Sequence, residues 1–305
     1  KHLRAVADNF TLHAQTFASL AIVCSVSLAA AAEKLDVLII DGQNNHNWRA
    51  TTPVLEGFLE KTGRFDVEVA TTPTDKKAPK EEWDKFRPDF SKYDVVLSNY
   101  NGQMWPEEVR KSFVEYVEGG GGVVIVHAAN NAFSGWEEYN EMIGLGWRNN
   151  KFGPRVYLDE DGKQVRQPAG EGPGAGHGPQ HDFPIIVRDA DHPVTKGMPQ
   201  AWMHAKDELY QGQRGPAENM KILATAFAAT DKRGTGVHEP MIWWIPYGKG
   251  KVFTTVMGHS DYSMTCVGFQ SVVARGCEWV ATGEVTLELP ESFPNADEVS
   301  RVEGN

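Results

Sequence analysis

The sequence predicts an α/β fold around a parallel, doubly wound sheet. Short apolar runs of strand type alternate with segments of helical period, and Gly or Pro stands at most of the joints. Leu35–Asp41 (LDVLIID) is almost continuously apolar, as a strand buried on both faces should be. Thr52-Pro53 offers a cap and a proline at the first helical position, and Gly63 a stop, so a helix is expected between them. Phe65–Thr71 (FDVEVAT) alternates as a second strand, and residues 93–99 (YDVVLSN) read as a third. Pro106 opens a helix whose Val109, Phe113 and Val117 recur every four positions. Glycines 119–122 end it, and residues 123–126 form the fourth strand.

The second half is less regular. Residues 153–180 carry Gly and Pro clusters and read as a long excursion. Residues 183–188, 221–227, 240–246 and 251–257 read as further strands, with Tyr247-Gly248-Lys249-Gly250 as the turn between the last two. Residues 264–282 read as a closing helix and the polar stretch from Pro290 as a loose tail.

Composition bounds the function. Hydrophobic residues make up 41% and charged residues 23%, so a packed core is expected rather than disorder. The net charge of −11 argues against nucleic acid or an anionic membrane surface as a partner. Lys1 and Arg4, an apolar run over 17–28 and Ala29-Ala30-Ala31-Ala32 have the order of a secretory signal, with cleavage expected after Ala32. The expected location is therefore periplasmic or secreted. Cys24 falls in that segment. Cys266 and Cys277 fall eleven residues apart in one expected helix, about 16 Å by helical rise and beyond disulfide reach.

In an open parallel sheet, ligands bind beyond the carboxyl ends of the strands. The first strand runs into Asn44, His46 and Trp48, the third into Tyr100-Asn101, the fourth into His127 and Asn130, and the last into His259 and Asp261. Amides hydrogen-bond hydroxyls and aromatic faces stack on C–H surfaces, so these loops suit a neutral polyol. Residues 202–210 (WMHAKDELY) form a second dense cluster. On a helix His204 and Glu208 would share a face; on a strand Asp207 and Glu208 would point opposite ways. Gly236-Val237-His238-Glu239 adds another His/Glu pair. Histidines with a carboxylate can form a metal set or an acid/base pair, but there is no H-E-x-x-H and no Cys pair of ligand spacing. His177, His181 and His192 read as isolated histidines, Gly119–Gly122 as a helix stop rather than a phosphate cradle, and Cys266 as a small buried residue. No G-x-S-x-G elbow is present.

Four segments resemble the trehalose-utilisation (ThuA-like) family: VLIIDGQNNHNW, GGGVVIVHAANN, DELYQGQRGPAENMKILATA, and YGKGKVFTTVMGHSDYS followed by CVGFQSVVARGCEWVATG. The resemblance runs over roughly residues 35–285 in the family's order. It implies a flavodoxin-like three-layer sandwich with a mostly parallel central sheet, similar to class I glutamine amidotransferases. It also implies one such domain over 33–289, between the signal segment 1–32 and the tail 290–305. Those amidotransferases carry a Cys at the tight turn after a central strand. Here that turn reads Val126-His127-Ala128-Ala129, so no glutaminase activity is expected. The pocket positions the resemblance implies are His46, Trp48, His127, Asp207, Glu208, Tyr210 and His259.

These readings combine into an expected site. Glu208, His127 and His259 are the candidate catalytic residues. Asn44, His46, Trp48, Asn130, Asp207 and Tyr210 are the candidate binders of a small-molecule carbohydrate. His46, His127 and His259 are candidate ligands of a divalent ion such as zinc. The family likeness points to a disaccharide, keto-sugar or related glycoside. A ketone acidifies the neighbouring C–H, so one base and one electrophile could carry the reaction. A non-catalytic sugar-binding protein and a metal-dependent amidohydrolase or esterase are the competing readings.

Overall fold

In the computed structural model, which describes residues 33–303, Leu35–Asp41 forms β1 and is followed by α1 (Trp48–Lys61), β2 (Phe65–Thr71), α2 (Lys80–Trp83), β3 (Val95–Ser98), α3 (Glu107–Gly119), β4 (Gly122–Val126) and α4 (Glu137–Ile143). Then come β5 (Arg155–Leu158), β6 (Gln164–Gln167), β7 (Gly176–His177), β8 (His181–Val187), β9 (Ala201–Asp207), β10 (Tyr210–Gln211), β11 (Lys221–Phe227), β12 (His238–Tyr247) and β13 (Gly250–Thr255). The helices α5 (Asp261–Met264) and α6 (Val267–Thr282) close the series. The expected signal segment, residues 1–32, lies outside the described residues. Among the described residues no helix is long and apolar enough to cross a membrane.

One large mixed sheet runs β2-β1-β3-β4-β13-β12-β11-β8-β9. Neighbours from β2 to β13 pair in parallel. From β13 to β9 every pairing is antiparallel. The expectation of a mostly parallel sheet therefore holds for the half from β2 to β13. It fails where Gly248 and Lys249 close a tight hairpin between β12 and β13, because a turn that short can only reverse the chain. Alternate residues of β1 serve two cores. Val37 and Ile39 pack with Leu55 and Leu59 of α1 and Phe269, Val272 and Val273 of α6. Leu38 and Ile40 pack with Phe113 and Val117 of α3 and Tyr139 and Met142 of α4.

Three boundaries differ from expectation. The first helix starts at Trp48, so Pro53 lies inside it rather than at its first position. The closing helix is broken at Thr265-Cys266 into α5 and α6, and α5 starts with a Ser260–Ser263 capping box. The tail is not loose. It returns to the edge strand β9, where the Asn295 carbonyl accepts the Met203 N–H at 2.7 Å and Phe293 packs on Trp202 at 5.6 Å between ring centroids. Further along it bridges Met203 through Val299 and Cys266 through Arg301. An edge strand has backbone groups without partners, and the tail supplies them.

Candidate active site

Four loops at the carboxyl ends of strands meet at one place. β1 leads to His46, β4 to His127, β13 to His259 and β9 to Glu208. After β1 the chain turns at Gly42, whose φ is +115° and where a Cβ would fall 2.4 Å from Thr72 Oγ1. Asn44 then holds the loop: its Oδ1 accepts the His46 N–H at 3.0 Å and its Nδ2 donates to the Asn99 carbonyl at 3.1 Å. His127 has φ +45° at the strand-to-helix turn. A left-handed conformation costs a residue with a Cβ roughly 1–2 kcal/mol. The turn is held by the His127 Nδ1–H, which donates to the Val256 carbonyl at 2.6 Å. That bond fixes the tautomer and aims the Nε2 lone pair at the other three residues.

The candidate donor atoms of His46, His127, Glu208 and His259 all lie within 4.8 Å of one another. Glu208 Oε1 is 3.2 Å from His259 Nδ1, and Glu208 Oε2 is 3.6 Å from His127 Nε2. Donors around a tetrahedral zinc stand about 3.4 Å apart for bonds near 2.1 Å. His259 Nδ1 is buried without a hydrogen bond of good geometry, an unsatisfied ring nitrogen that in its deprotonated form would serve an ion. Burial and the two neighbouring imidazoles push His46 down to about 4, so it is neutral near pH 7 with a lone pair to give. Burial alone would raise the Glu208 carboxyl, but His127 and His259 outweigh it and hold the group well below the usual carboxylate range. Contact with Glu208 raises His259, against the effect of burial. Three imidazoles and one carboxylate make a set that suits zinc and other first-row ions.

Asp207 stands behind this cluster rather than in it, which corrects its assignment as a substrate contact. It is fully buried, and its two oxygens already accept four bonds. Oδ1 takes the Glu208 and His259 N–H groups at 2.7 and 3.1 Å, and Oδ2 takes the Gly258 N–H and His204 Nε2–H, both at 2.7 Å. Asp207 thus fixes the backbone of two cluster residues. An irregularity in the β8–β9 pairing between His181 and Phe183 breaks the alternation of β9, so His204 and Asp207 meet in the core while Glu208, just past the strand end, belongs to the cluster. Burial opposes a charged His204, yet Cys266 and the Asp207 carboxylate raise it to about 9. Cys266 is itself fully buried on that far side. Asn130 is a second correction: it is fully buried and its Nδ2 donates to Gln213 Oε1, so it supports the β4 loop instead of meeting a ligand. Trp48 is half-buried at the start of α1 with Arg49 stacked over its ring at 4.2 Å.

The excursion after α4 supplies residues that sequence reasoning left out. β7 pairs with β10, setting His177 opposite Tyr210. His177 Nε2 comes within 3.4 Å of Glu208 Oε1, and the Gln180 amide meets His259 Nε2 at 2.9 Å. Trp147 packs edge-on against Tyr210, with ring centroids 4.7 Å apart. Arg214 pins the excursion. Fully buried, it donates to the carbonyls of Gly153, Pro168, Glu171 and Pro173. The residues 153–180 are thus a tied-down wall of the site. A histidine in a Gly/Pro run carries no periodicity; only its place opposite Tyr210 would have marked it.

Comparison with known proteins agrees with this architecture. The family model described as trehalose utilisation (ThuA) matches residues 36–280. A ThuA-like protein from Parabacteroides merdae is 44% identical in sequence, with a TM-score of 0.83 over 88% of this chain and 98% of its own. A ThuA-like protein from Bacteroides uniformis shares the fold at 20% identity and a TM-score of 0.54, covering 85% of this chain and 96% of its own. A search of curated proteins finds no match. With the family model spanning β1 to α6, the chain belongs to the ThuA, or trehalose-utilisation, family.

Proposed function

We propose that this protein is a metal-dependent enzyme of carbohydrate metabolism, acting on a disaccharide, keto-sugar or related glycoside outside the cytoplasm. The observation that carries the proposal is the convergence of His46, His127, His259 and Glu208, with donor atoms within 4.8 Å. Family membership supports the carbohydrate side. The extracytoplasmic side rests on the order of residues 1–32 alone. A bound ion would supply Lewis acidity toward a sugar carbonyl or hydroxyl oxygen. The protein's own part is to keep His46 neutral, hold Glu208 ionised and bury Glu208 and His127 away from water. Glu208 and His127 have side chains only 8% and 3% exposed, so the approach lies past the more open His46, His259 and His177. Asn44 and Trp48, both half-buried in the loop and helix start that carry His46, are the remaining candidate sugar contacts.

The test is turnover of disaccharides and their 3-keto derivatives by the full chain, with and without a chelator. Turnover that needs metal and is lost in His46→Ala and Glu208→Gln is the expected result. Saturable sugar binding without turnover, unaffected by the chelator, would favour a non-catalytic sugar-binding protein instead.

A further inference from the structure

The Tyr210 hydroxyl is buried, and its ring lies between His127 and Trp147, with the residue 1% exposed. Its oxygen is 3.0 Å from His127 Nε2. The His127 Nδ1–H is committed to the Val256 carbonyl, so Nε2 of the neutral ring is an acceptor and Tyr210 is the donor. That same Nε2 is the lone pair His127 would give to an ion. It cannot serve both. An ion at the cluster therefore takes the acceptor away from Tyr210 and leaves a buried O–H facing the ion. A buried donor without a partner is costly, so the hydroxyl must find another oxygen or nitrogen close by.

We infer that Tyr210 is a further catalytic residue, the hydrogen-bond donor that metal binding turns from His127 to the oxygen held on the ion. The inference rests on the metal reading above. It deepens that reading by naming the class of group the site is built to receive: a carbonyl, alkoxide or other oxygen that gains negative charge, met by the ion on one side and the phenol on the other. Asn131 also stands beside the hydroxyl, and its Oδ1 is buried without a partner. If the freed hydroxyl turned to Asn131 instead, it would do nothing for the ligand.

Azide binding to the cobalt(II)-loaded full chain, read from visible absorption, separates these outcomes. Tyr210→Phe is expected to keep its cobalt stoichiometry and to bind azide about ten-fold more weakly, the scale of a hydrogen bond to a charged acceptor. Unchanged azide affinity, or loss of cobalt uptake with the hydroxyl, would overturn the inference. A measurement on the unmutated protein guards against a misfolded variant. The infrared C–O band of one tyrosine should shift on zinc uptake and shift again on adding azide; a band that ignores zinc contradicts the inference. If wild type takes up no metal at all, the metal reading itself fails and this inference with it. Metal uptake with an indifferent Tyr210 sinks the inference alone.

Discussion

Asp207 touches no candidate donor through its side chain, yet it holds two of them by their backbones. Its four accepted bonds include one from His204, which is buried beside it and raised to about 9, hence charged near neutral pH. Removing one partner of a buried ion pair costs about 3–5 kcal/mol, because the other charge is left uncompensated. Asp207→Ala is therefore expected to lower stability by about that amount in urea unfolding. In the fraction that folds, zinc affinity measured against a competing chelator should fall roughly 10- to 100-fold, as when a supporting partner of a metal ligand is lost. His259→Ala removes a donor outright and should abolish zinc uptake while leaving the fold intact. Of these residues, His46, His127, Glu208 and His259 were legible in the sequence because each follows a strand end. Asp207 and Asn130 were misjudged for the same reason. A polar residue at a strand end can face the ligand or brace the loop from behind, and only packing decides which.

Among the elements, the excursion between α4 and β8 departs furthest from what patterning could show. Its strands are short: β7 is two residues long and pairs with the equally short β10. No alternation can develop over such lengths, and the anchor that orders them, Arg214, lies far along the chain. Arg214 spends its guanidinium on backbone carbonyls. In Arg214→Met those carbonyls lose their donor, a cost of about 3 kcal/mol or more if none is rehydrated. Hydrogen exchange should then quicken across residues 149–180 before the central sheet opens. Equal protection of the two regions in the variant would show that Arg214 is not the anchor. The parallel half of the sheet was readable because its strands are buried on both faces and spaced by helices; the antiparallel half was only partly so, since β9 reads equally well as a polar cluster.

For the molecule as a whole, His204 links the site to global stability. Its folded pKa, about 9, lies above the ordinary 6.5. Such a group stabilises the fold fully below pH 6.5 and loses that contribution as pH rises through 9. The urea midpoint should accordingly fall between those values, and His204→Gln should flatten the fall; a slope equal in both proteins would remove His204 from the explanation. At this scale the sequence pattern went far, since the order of strands and helices around the loops carrying His46, His127 and His259 emerged from periodicity. What it could not show was convergence in space. His46 and His259 are distant in the chain, yet their ring centroids are 4.5 Å apart, because β1 and β13 lie in one parallel array.

That convergence is the central claim, and metal content tests it most directly. The chain, purified without a histidine tag, would be assayed by elemental analysis as isolated and after incubation with zinc. The expected result is close to one ion per chain, lost in His46→Ala and in His259→Ala. A folded wild-type protein that neither carries nor takes up a metal ion would contradict it.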